Sequence, residues 1–102
     1  MSVLMNLTIF PTDQGSSVSG YVSKVIRHIR RSGHPNQLTA MGTLVETETL
    51  HEATVLIEET YKILEHDCER VYITVSIDVR KGPIGRIESK IRSIEDKLEG
   101  KD

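Results

Sequence analysis

The sequence predicts an α+β fold: four strands in one antiparallel sheet, two helices on one face, and an extra helix at the C-terminus. Three observations carry that expectation. Apolar residues alternate with other residues near both ends of the chain, over Val3–Ile9 and Val71–Val79, which is the period of a strand. Two intervening segments repeat apolar residues at spacings of three and four, the period of a helix. Between those helices, residues 37–48 read as two short strands around a glycine. The resulting order, strand–helix–strand–strand–helix–strand, is the split βαβ or ferredoxin-like pattern, and right-handed crossovers place both main helices on one side of the sheet. Its 102 residues suit one domain, 1–102.

Each element has its own signal. Val3, Met5, Leu7 and Ile9 alternate with Leu4, Asn6, Thr8 and Phe10; with no basic leader, this start reads as a strand and not a signal peptide. Pro11 ends it. Ser16 or Ser17 is placed to cap the first helix, in which Val18, Val22, Val25, Ile26 and Ile29 face one way and Lys24, Arg27, Arg30 and Arg31 the other. Gly33 closes that helix, with Pro35 just beyond. A break near Gly42-Thr43 separates the two middle strands. Thr49-x-x-Glu52 matches a capping box, and Ala53, Leu56, Ile57, Thr60, Tyr61 and Leu64 form the inward stripe of the second helix. In the last strand Val71, Ile73, Val75, Ile77 and Val79 point to one side and Tyr72, Thr74, Ser76, Asp78 and Arg80 to the other. After a Gly82-Pro83 turn, Ile84, Ile87, Ile91, Ile94 and Leu98 make the seam of a third helix.

With the aliphatic rows against the helices, the opposite sheet face carries Asn6, Thr8, Phe10, Tyr72, Thr74, Ser76 and Asp78. Antiparallel pairing of the first and last strands brings Phe10 toward Tyr72, and Asn6 toward Ser76 or Asp78. That surface is too apolar for plain solvent and too polar for a core. It reads as a subunit interface, a ligand surface, or both, and the chain is expected to form a homo-oligomer.

Composition removes several function classes. A net charge of −2 gives no pull toward nucleic acid or an anionic membrane, and no apolar run nears the roughly 18 residues of a membrane span. Cys68 is the single cysteine, so an internal disulfide is excluded and a reducing, cytoplasmic compartment fits. His28, His34, His51 and His66 lack metal-ligand spacing, so no metal or cofactor is expected. Residues 11–17 gather hydroxyls and amides at a helix start, yet they lack a P-loop lysine and the arginine that an acylphosphatase-like enzyme would need there. An RNA-binding domain of this fold would carry stacking aromatics on its middle strands, and 43–48 has none. No nucleophile has a partnered base, so no catalytic residue is assigned and no enzyme is expected. Glu46 and Asp78 are the acids of interest: a half-buried carboxylate needs a cation, either Arg80 or Arg70 or a ligand.

Pro11, Gly15, Ser17-x-Ser19-x-Tyr21-Val22, Met41-Gly42-Thr43-x-x-Glu46, and Arg70-Val71 with Ile77-Asp78-x-Arg80 together resemble the thiamine-binding-protein (YkoF-like) family of small ferredoxin-like proteins. The resemblance spans nearly the whole chain, with departures at Ala40, Thr47 and Ser76. It implies a non-enzymatic protein that binds thiamine or its hydroxymethylpyrimidine moiety and assembles as a homotetramer of stacked sheets. Carried onto this chain, it implies ligand contacts from Ser17, Ser19, Tyr21, Thr43, Glu46, Asp78 and Arg80. The chemistry suits such a ligand. An aminopyrimidine offers donors and acceptors to hydroxyls and a carboxylate, and a thiazolium is a fixed cation that Glu46 is expected to meet beside Thr43. The rival reading is an oligomeric structural or regulatory module, in which the serines and Thr43 only cap and turn.

Overall fold

The computed structural model describes residues 1–16 and 18–100. Seven elements follow in order: β1 (Ser2–Pro11), α1 (Val18–Arg31), β2 (Asn36–Thr39), β3 (Gly42–Thr47), α2 (Leu50–Glu65), β4 (Val71–Arg80) and α3 (Arg86–Leu98). The strands form one antiparallel sheet in the order β2-β3-β1-β4, the expected ferredoxin-like arrangement.

Register follows the side-chain alternation. Val3, Met5, Leu7 and Ile9 of β1 pair with Val79, Ile77, Val75 and Ile73 of β4, and Phe10 pairs with Tyr72, Asn6 with Ser76 and Leu4 with Asp78. The Phe10 and Tyr72 rings meet at 5.6 Å between centroids. On the other side of β1, Leu7 pairs with Thr43 and Leu4 with Glu46. The core is the helix-side row of β1 and Val45 closed by Val25, Ile29, Ala53, Leu56 and Leu64. It is almost wholly aliphatic, as a chain without tryptophan requires.

Local rules account for the ends of the elements. Thr49 Oγ1 accepts from the Glu52 amide while Glu52 accepts from the Thr49 amide, so the capping box is made in full. Gly33, at φ 87°, turns the chain out of α1. The break in the middle hairpin falls at Ala40-Met41, two residues before the expected Gly42-Thr43, because Gly42 already pairs with Thr39. Glycine is required there: a Cβ would stand 2.5 Å from Asn6 Oδ1 and 2.8 Å from Thr8 Oγ1. Ser17, expected as a cap, lies outside the described residues.

Two features depart from the simple sandwich. The aliphatic row of β4 does not meet the helices along its length: Ile73, Val75, Ile77 and Val79 remain 36–49% exposed. The reason is topology, since β4 is an edge strand beside β1. The start of α3 lies on the sheet face opposite α1 and α2, where the loop before it reaches Glu46. Ile84, Ile91, Ile94 and Leu98 of that region are exposed. No helix among the described residues is long and apolar enough to cross a membrane.

Candidate functional site

Strand alternation divides the expected ligand residues between the two sheet faces. Thr43 and Glu46 are three apart on β3, an odd offset, so their side chains take opposite sides. Thr43 shares the helix side with its partner Leu7, whereas Glu46 shares the other face with Leu4. The expectation that Glu46 sits beside Thr43 is therefore corrected.

On the helix side a cleft of about 390 Å³ opens between α1 and the β2–β3 hairpin. Val18, Val22, Ile26 and Ile29 form the α1 wall, Leu7 to Phe10 the floor, and Leu38 to Thr43 the hairpin wall. Of the threonines along it, Thr43 faces the helix side, whereas Thr8 and Thr39 alternate to the opposite face. Thr8 donates to the Met41 carbonyl (3.1 Å), and Thr39 donates to the Gly42 carbonyl (2.7 Å) while accepting from the Met41 amide. These bonds shape the hairpin tip. Among the described residues no hydrogen bond engages the hydroxyl of Thr43, which is 4% exposed and lines the cleft. Among the described residues no charged side chain lines it.

On the opposite face Glu46 is fully buried, with its acceptors taken. Ser2 Oγ donates to one carboxylate oxygen, and the amides of Gly85 and Arg86 donate to the group at 3.0 Å each. Burial pushes the Glu46 carboxyl up, but these hydrogen bonds and the Arg86 guanidinium outweigh it and hold it below the ordinary value. Arg86, 5% exposed, bonds Ser2 Oγ (2.9 Å), the Ser2 carbonyl (3.0 Å), Asp78 Oδ2 (2.7 Å) and the Asp78 carbonyl (2.7 Å). The expected partner of Asp78, Arg80 or Arg70, is thus replaced by Arg86, with Lys90 at 3.5 Å. The hydrogen bond to Arg86 and its charge hold the Asp78 carboxyl below the usual carboxylate range. Together these groups join the start of β1, the end of β4 and the first turn of α3. Arg86 and Ser2 were not among the expected residues. The available signal was a basic residue opening a helix, where the macrodipole disfavours a cation.

The remaining candidates lie elsewhere. Tyr21 donates to Gln14 (3.0 Å), and Gln14 donates to the Asp67 carbonyl (2.9 Å), so this pair ties the β1–α1 loop to the end of α2. Ser19 is exposed on the first turn of α1, and Arg80 lies at the end of β4 where Ser2 pairs. Of the expected set, the cleft takes in Thr43.

Two groups resemble parts of catalytic sites. Ser2 meets a carboxylate but is fully buried. Cys68 follows the exposed His66–Asp67 pair, yet burial and the charges of Asp13 and Asp67 push its thiol up, away from the reactive thiolate. Among the described residues no cluster of three or more His, Cys, Asp or Glu is placed to hold a metal.

Comparison with known proteins agrees with the fold and the motifs. A family model described as "Thiamine-binding protein" matches residues 5–95. A UPF0045 protein of Mycobacterium bovis is 30% identical over 95 residues, covering 93% of each chain. One from Methanocaldococcus jannaschii is 33% identical over 92 residues, covering 90% of this chain and 91% of its own. A crystal structure of the M. jannaschii protein superposes with a TM-score of 0.81 at 32% identity, over 93% of this chain and 97% of that one. A Thermotoga maritima protein, provisionally assigned to thiamine biosynthesis or salvage, shares the fold at a TM-score of 0.80 and 22% identity, over 92% and 99% of the two chains.

Proposed function

The chain belongs to the thiamine-binding protein family, and from that premise we propose that it binds thiamine or its hydroxymethylpyrimidine moiety without transforming it, as a carrier, buffer or sensor. The observation that carries this reading is the cleft between α1 and the hairpin, about 390 Å³ in volume, walled mainly by aliphatic side chains and carrying the Thr43 hydroxyl. Its size and lining suit a small, flat, largely neutral ring. The free hydroxyl of Thr43 supplies a donor and an acceptor for an aminopyrimidine edge. Because no charged group lines the cleft, the pyrimidine end enters it and a thiazolium stays at the mouth. Hydroxymethylpyrimidine therefore binds within about tenfold of thiamine, the charge adding little.

The functional unit in this reading is a cytoplasmic homo-oligomer, a tetramer. The exposed aliphatic row of β4 and the apolar residues of α3 support assembly, and the single thiol accords with a reducing compartment.

Calorimetric titration with thiamine and with hydroxymethylpyrimidine tests the reading. Saturable heat with both is expected, and Thr43→Val should weaken binding about tenfold, the cost of one hydrogen bond to the ligand. Absence of heat with either, up to millimolar ligand, would overturn it in favour of an oligomeric structural module, which the half-exposed row of β4 would then explain by itself.

A further inference from the structure

We propose that the corner where β4 runs into α3 is a second ligand site, built for the phosphoryl group of a small phosphorylated anion. Two hollows, of about 240 and 480 Å³, are both lined by Arg80 and Ser89. Lys81 adds a cation on the loop side, and Lys90 and Ser93 add a cation and a hydroxyl on the helix side. Helical spacing explains why one face of α3 is so equipped. Arg86, Ser89, Lys90 and Ser93 are related by steps of three and four and look the same way, while Ile87, Ile91, Ile94 and Leu98 take another face.

The electrostatic state of these groups distinguishes the corner from an ordinary salt-bridged surface. Asp78, the nearby acid, is neutralised by Arg86 at 2.7 Å and Lys90 at 3.5 Å. The side chains of Arg80 and Lys81, by contrast, have no hydrogen bond or ion pair among the described residues. The hydroxyls of Ser89 and Ser93 are also unengaged among the described residues, although Ser23, Thr54 and Thr60 all turn back to carbonyls of their own helices. Gly82 and Gly85 leave open space beside the loop, since a Cβ at either would meet nothing within 4 Å. A fork of guanidinium donors, an ammonium and two hydroxyls around one hollow matches a tetrahedral dianion better than a planar carboxylate. The corner lies at the Ser2 end of β1, about 20 Å along the strand from the threonine cleft. It is therefore a site separate from that cleft, and its ligand need not be the same molecule.

Heteronuclear NMR of the labelled protein, titrated with inorganic phosphate and then pyrophosphate at constant ionic strength, tests the proposal. Saturable shifts are expected at the Arg80 side chain, residues 81–85, Ser89 and Ser93, with pyrophosphate the tighter ligand. Signals of Gly42 and Thr43 should stay still. Titration with hydroxymethylpyrimidine should move the opposite set, so failure at one site is distinguishable from failure at the other. Arg80→Gln should weaken pyrophosphate binding about tenfold or more, and Lys81→Gln by a smaller factor. The proposal is overturned by the lack of a saturable response up to about 10 mM pyrophosphate. Shifts spread equally over Lys24 and Lys62 would sink it too, as would unchanged affinity in both variants. Should Arg80→Gln fold poorly, Lys81→Gln alone decides.

Discussion

Glu46 shows how a single buried carboxylate can organise a fold. Its oxygens hold the amides of Gly85 and Arg86 and the hydroxyl of Ser2, so its negative charge stands at the positive end of α3. Because these bonds hold its folded-state pKa below the ordinary 4.5, the carboxylate form stabilises the folded state. That contribution is fully present above the unfolded value and is lost as pH falls through the lower folded one. Glu46→Gln should lower stability by about 2 kcal/mol at pH 7, the range for hydrogen bonds to a charged group. Urea midpoints at pH 7 and pH 4 check this: the gap between variant and parent should narrow in acid. Ligand affinity should change little, since Glu46 lies on the face away from the cleft. The Thr43-x-x-Glu46 spacing already contains the reason, because an odd step along a strand reverses the side chain. Ser2 and Arg86 were harder to foresee. They stand 44 and 40 residues from Glu46, and no local pattern links them.

Among the elements, those governed by neighbouring residues were the legible ones. The capping box of α2 is complete within four residues, so Thr49 and Glu52 announce it directly. Thr49→Ala should cost about 1 kcal/mol, read as a lower thermal midpoint with assembly unchanged. In the β2–β3 hairpin, the position of Gly42 decides the shape of the cleft wall. Gly42→Ala would press a methyl onto Asn6 and Thr8 and break the contact of Thr8 with the Met41 carbonyl. A loss of about 1–2 kcal/mol is expected, with weaker pyrimidine binding in the same calorimetric titration. The helix α3 was legible as a helix from its isoleucine spacing, but its location was not. Its docking depends on Glu46 and Asp78, which belong to β3 and β4.

For the whole molecule, the alternation in β1 and β4 was enough to place Phe10 against Tyr72 and Asn6 against Ser76. The same alternation overstated the core, because it cannot say how far two helices reach across a sheet. They cover β4 only in part, and the half-exposed row there joins the exposed isoleucines of α3 as apolar surface. Light scattering at micromolar concentration should give a mass of about four times the 11.5 kDa chain. Ile77→Lys should reduce that mass while leaving the isolated subunit folded, since Ile77 is already 36% exposed. A parent mass near that of one chain would refute assembly.

The bonds between Ser2 and Arg86 also bear on how the protein is made. They span 84 residues and join the start of β1 to the first turn of α3. Until residue 80 has been made β1 lacks its full outer neighbour, and until residue 86 has been made Glu46 faces water in place of the α3 amides. Such a chain gains its most distant contacts last, and its folding is slowed accordingly. Before β4 pairs with it, β1 offers an open edge to other chains, a route to aggregation that the completed sheet closes.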